Sequence, residues 1–115
     1  SAYSSRFGSL LRAYSLVGFS PDRDYRYVEI NRDLRARQEM MREQLKSGSY
    51  DQVANVVRIL YFMNSQRSLG TIDRQLLDQG KELLASELAL AADADISEAM
   101  QEIESHLGRM LTKEP

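Results

Sequence analysis

At 115 residues, 43% hydrophobic and 28% charged, the chain has the size and apolar content of one globular domain with one core, which excludes a disordered segment. It holds no cysteine and no apolar run near the roughly 20 residues that cross a bilayer, which excludes a disulfide framework, a thiolate metal cage and a membrane helix. With no leader-like segment visible, a cytoplasmic location is the expectation. Net charge is −2, but residues 1–47 carry nine Lys/Arg against six Asp/Glu, whereas residues 48–115 carry six against eleven.

Phe7, Leu10, Leu11 and Tyr14 recur at the spacing of one helical face and predict a first helix, started by Ser4 or Ser5 and stopped at Gly18. Ser20, Pro21 and Asp22 signal a second start, because Ser caps, Pro tolerates the first helical position and Asp favours the positive helix end. Its apolar positions are Tyr27, Ile30, Leu34, Met41 and Leu45. Arg32, Arg35, Arg37, Glu39, Arg42 and Glu43 are read as its polar face, with Glu39 and Arg42 a favourable pair. Residues 25–30 also fit a short strand, since aromatic and β-branched side chains gather there; helix is preferred.

Lys46 to Ser49 is the clearest break in the chain. Ser49 followed by Gln52 has the form of a capping box that opens a third helix. From Val53 to Met63 that helix is apolar around most of its circumference, as a central helix is. Thr71 and Asp73 open a fourth, with Ile72, Leu76, Leu77, Leu83, Leu84, Leu88 and Leu90. Gly80 weakens that helix by about 1 kcal/mol relative to Ala and points to a close helix crossing. After Asp93 and Asp95, a last amphipathic helix carries Ile96, Met100, Ile103, Leu107, Met110 and Leu111 over an acidic opposite face. The fold expected is all-α: a single compact, bundle-like domain of about five helices, basic over 1–47 and acidic over 48–115.

No catalytic set emerges. His106 is the only histidine, and a lone imidazole without Cys or a second His makes no usual zinc site. Asp93 with Asp95, and Glu98 with Glu102, are explained as acidic helix starts. Neither a nucleophile elbow nor a glycine-rich phosphate loop is present. No enzymatic activity, cofactor, metal or small-molecule substrate is expected.

The informative stretch is residues 20–37, where Arg23, Arg26, Arg32, Arg35 and Arg37 interleave with Tyr25, Tyr27 and Asn31. Arg neutralises phosphate, Asn bonds an adenine edge, and Tyr stacks or contacts the sugar-phosphate chain. Asp22, Asp24, Glu29 and Asp33 dilute the field, so an internally paired helix accounts for the pattern equally well.

A resemblance extends this reading. Arg6 to Leu10, Ala13, Tyr14, Gly18, Phe19, Pro21, Arg23 to Tyr25, Tyr27, Glu29 to Arg32, Leu34 and Arg35 together resemble a segment in the C-terminal region of bacterial serine recombinases of the resolvase and invertase class. The Phe-Gly-Ser, Ala, Gly and Pro elements also look like the end of helical repeats associated with homing endonucleases. The resemblance covers residues 1–37 and implies a non-catalytic accessory domain of a DNA recombinase, with DNA and recombinase subunits as partners. Its DNA-binding candidates are Arg6, Arg12, Arg23, Arg26, Arg32, Arg35, Tyr25 and Asn31. The alternative is a helical protein-protein or dimerisation module, without direct DNA contact, built on the last two helices.

Overall fold

A computed structural model of the chain describes Phe7, Leu10, Leu11 and residues 34–112, with side chains as far as Arg109. Among the described residues there are four complete helices and no strand: α1 (Leu34–Lys46), α2 (Tyr50–Gln66), α3 (Thr71–Ala92) and α4 (Ile96–Thr112). The class is therefore all-α, as expected, with four complete helices among the described residues where about five are expected for the chain. Phe7, Leu10 and Leu11, on the face expected of a first helix, are helical. Tyr14 and the choice between helix and strand for residues 25–30 lie outside the described residues.

Local chemistry sets the helix ends. α1 stops where Gly48 adopts φ +81°, a conformation open to glycine at little cost. The Ser47 hydroxyl donates to the Gln44 carbonyl at 2.7 Å and accepts the Ser49 amide at 3.1 Å. That second bond explains why the expected capping box does not form. In a capping box the Gln52 side chain satisfies the amide of Ser49, and here Ser47 already does so. Ser49 still occupies the cap position, its carbonyl accepting the amides of Gln52 and Val53, but its side chain caps nothing. α3 ends on Asp93 at φ 53°. The amides of Asp93 and Ala94 reach back to the Leu90 and Ala89 carbonyls at 3.4 and 2.9 Å, a left-handed cap on the last orphan acceptors.

α3 packs on all three other helices, and α2 touches α1, α3 and α4. The central role expected for α2 is thus shared with α3. Met41 and Leu45 from α1, Val53, Val56, Val57 and Leu60 from α2, Leu76, Leu84 and Leu88 from α3, and Ile103 and Leu107 from α4 form one buried cluster with Phe7 and Leu11. Full burial of each large aliphatic side chain contributes about 1.5–3 kcal/mol. Four residues read as apolar stripe positions are instead exposed: Leu34, Ile72, Leu90 and Ile96. All four sit in the first or last turn of a helix, where the 3.6-residue pattern continues after the packing partner has ended.

Gly80 is buried in the middle of α3. A Cβ there would lie 2.7 Å from Val57 Cγ2 and 3.4 Å from Leu45 Cδ2. The missing side chain lets α3 approach α2 and α1 closely, as the break in helix propensity suggested.

Candidate nucleic-acid interface

One end of the molecule is organised around an ion pair. Arg37 lies on the inner face of α1, and Asp73 is the third residue of α3. Their side chains are only 5% and 9% exposed. Arg37 Nη1 donates to Asp73 Oδ1 at 3.1 Å, and Nη2 donates to Oδ2 at 2.9 Å. This two-pronged geometry matches a planar guanidinium to a carboxylate. Gln38 Nε2 adds a third donor to Oδ1 at 3.2 Å, and Met41 Sδ lies 3.5 Å from Arg37 Nη1. Asp73 also occupies the first turn of α3, where the helix dipole favours negative charge.

The assignment of Arg37 to a polar, solvated face is corrected by this arrangement. Positions 37, 41 and 45 are four apart and share one side of a helix, so Arg37 continues the buried stripe of Met41 and Leu45 by one turn. That spacing was the available signal, masked by the abundance of Arg around it. Asp73 was read only as a helix-start acid, and its distant partner carried no sequence signal.

With Arg37 turned inward, Arg35 is exposed, because two residues along a helix rotate the side chain by about 200°. Arg74, immediately after Asp73, and Arg67, in the turn before α3, are exposed as well. Leu34 and Ile72 complete this end with apolar surface. Arg67 and Arg74 were not singled out from the sequence, since neither lies in an Arg-rich run. Of the DNA-binding candidates, Arg35 is the one within the described residues. Arg6, Arg12, Arg23, Tyr25, Arg26, Asn31 and Arg32 lie outside them, although the sequence bearing Asn31 and Arg32 runs directly into α1 at Leu34.

Acidic residues dominate the rest of α3 and most of α4. Residues 78–104 hold eight Asp/Glu and one basic residue, Lys81, whose ammonium is 3.7 Å from Glu104 between α3 and α4. Ile103 and Leu107 of the last stripe face the core, while Ile96 is exposed and Leu90, at the end of α3, is 81% exposed. On α1, Arg42 and Glu39 form the expected surface pair at 3.0 Å. Among the described residues no group of three His, Asp or Glu comes together, and no helix is long and apolar enough to cross a membrane.

No solved structure matches the chain. Residues 25–104 match the family model of the CarD C-terminal domain, and the chain belongs to that family. It is a family of transcription regulators rather than enzymes, so the resemblance to serine recombinases is overturned, together with the recombinase parent and the recombinase subunits as partners. The module without direct DNA contact likewise receives no support from the family match. The recombinase likeness rested on residues 1–37, whereas the match lies mostly beyond them. There, Leu, Ala and Glu in helical spacing carry little information one position at a time.

Proposed function

We propose that this member of the CarD C-terminal domain family is the DNA-holding part of a transcription regulator and that it contacts duplex DNA through its basic end. Charge segregation carries the reading. Exposed Arg35, Arg67 and Arg74 stand at the end where the arginine-rich sequence enters α1, and the eight acidic residues of 78–104 follow along α3 and α4. Basic groups gathered at one end bind the phosphate chain, and acidic stretches along the helices beyond it disfavour wrapping. Arg6, Arg12, Arg23, Arg26, Arg32 and Arg35 are the phosphate contacts in this reading, with Tyr25 against sugar or base and Asn31 at a base edge. RNA polymerase is the second partner that family membership implies. No reaction is assigned to the chain.

The test is a titration of labelled duplex DNA with the chain across a salt series. Counterion release makes log affinity fall linearly with log salt, by about 0.9 for each phosphate neutralised. Arg35→Ala and Arg74→Ala are each expected to weaken binding similarly for unrelated sequences and to flatten that slope by about 1. Absence of binding at low salt, or an affinity indifferent to salt, sets the reading aside.

A further inference from the structure

We propose that the buried Arg37–Asp73 pair is a positioning device: it fixes the start of α1 against the start of α3 and so holds the groups of the basic end in the arrangement that meets DNA. The proposal rests on the DNA-binding reading above. The pair joins residues 36 positions apart with two hydrogen bonds, and Gln38 adds a third onto the same carboxylate, in a site from which water is almost excluded.

Stability alone is a poor account of such a pair. Two charges taken out of water lose solvation that their mutual attraction roughly restores, and an apolar pair of similar volume commonly stabilises as well or better. What an apolar pair lacks is direction. Two parallel N–H to O bonds fix the distance, rotation and register of the two helix ends together, whereas Met against Leu packs acceptably over a range of them.

The groups that benefit are the immediate neighbours. Arg35 precedes Arg37 by two residues on the outer side of α1, and Arg74 follows Asp73 directly; both are exposed. Leu34, the first residue of α1, follows the arginine-rich sequence directly. A rotation of α1 about its axis would carry Arg35 and the entry point of that sequence away from Arg74. The Arg37–Asp73 pair ties α1 to α3 at this end, whereas apolar contacts such as Leu45 near Gly80 lie at the far end of α1.

The experiment uses the full 115-residue chain. Cysteine is absent, so spin labels at Ala36→Cys and Gln75→Cys, both exposed positions, report the α1 to α3 distance without background. Native protein is expected to give one narrow distance distribution. Arg37→Met with Asp73→Leu is expected to keep its helix content and broaden that distribution. In the unlabelled chain the same double substitution is expected to lower affinity for duplex DNA roughly fivefold or more, with a shallower salt slope, as one or two phosphate contacts are lost.

Arg37→Lys is the second variant. It keeps the charge but not the fork, and intermediate broadening with an intermediate loss of affinity is expected; it carries the test if the apolar pair does not fold. An unchanged distance distribution, or unchanged DNA affinity in a folded variant, overturns the positioning role. Failure of the native chain to bind duplex DNA at low salt instead overturns the DNA reading on which it rests.

Discussion

Adding a single methyl group at Gly80 sets two effects of opposite sign against each other. In an exposed helix, Gly→Ala stabilises by about 1 kcal/mol through reduced backbone freedom in the unfolded chain. At this position the new Cβ meets Val57 Cγ2 at 2.7 Å, close to an ångström inside the roughly 3.5–4.0 Å of a normal carbon contact. Val57 is fully buried, and its branched Cβ leaves essentially one rotamer in a helix. The methyl cannot swing aside, so α3 must move from α2.

Overpacking of this kind costs about 1–3 kcal/mol, which exceeds the propensity gain. Gly80→Ala is expected to destabilise by about 1 kcal/mol net, lowering the melting temperature by roughly 3–6 °C for a chain of this size. Thermal and urea unfolding followed by circular dichroism at the helix band measures both quantities. The sharper test is a double-mutant cycle. In a Val57→Ala background Cγ2 is gone, and Gly80→Ala should become neutral or stabilising, giving a coupling of about 1–2 kcal/mol. Stabilisation by Gly80→Ala in the native background, or coupling below about 0.5 kcal/mol, would falsify the close-crossing argument.

Five further substitutions probe other parts of the fold. Asp73→Ala leaves the Arg37 guanidinium buried without its partner and should cost about 3–5 kcal/mol by denaturant titration; a loss under about 1 kcal/mol would mean that water reaches the pair. Gly48→Ala, at φ +81°, should destabilise by about 1 kcal/mol, whereas Asp93→Gly, at φ 53°, should be neutral or stabilise by up to about 1 kcal/mol. If the two turn changes shift the urea midpoint the same way, left-handed strain is not what distinguishes them. Ile103→Ala, fully buried on α4, should cost about 2–5 kcal/mol. Leu90→Ser, at a site 81% exposed, should stay within about 0.5 kcal/mol of the native chain.

The helices themselves were legible. Lys46 to Ser49, Ser68 to Gly70 and Asp93 to Asp95 carry turn chemistry strong enough to place three connections close to where they occur. Met41, Leu60, Leu84 and Ile103 repeat with a period that marks an inner face whatever the partner. Function was less legible. A collocation of residues in the first third resembled one kind of DNA-handling protein, while the family match runs through the plain helical sequence of 25–104, where membership is spread thinly over many positions. DNA stays a proposed partner under the new family; recombination does not.

Sequence alone therefore determined the helical class, the three connections, the buried stripes and the separation of basic from acidic stretches, because each depends on neighbours within a turn or two of the chain. Only the folded molecule decided that Arg37 faces inward to Asp73, that Leu90 and Ile72 remain in water, and that Gly80 lies beneath Val57. Those outcomes depend on which helix ends meet and which extend past their partners. A periodic pattern says which side of a helix is apolar, but the contact that makes a charge cheap to bury, or a methyl group too large, comes from residues distant in the chain.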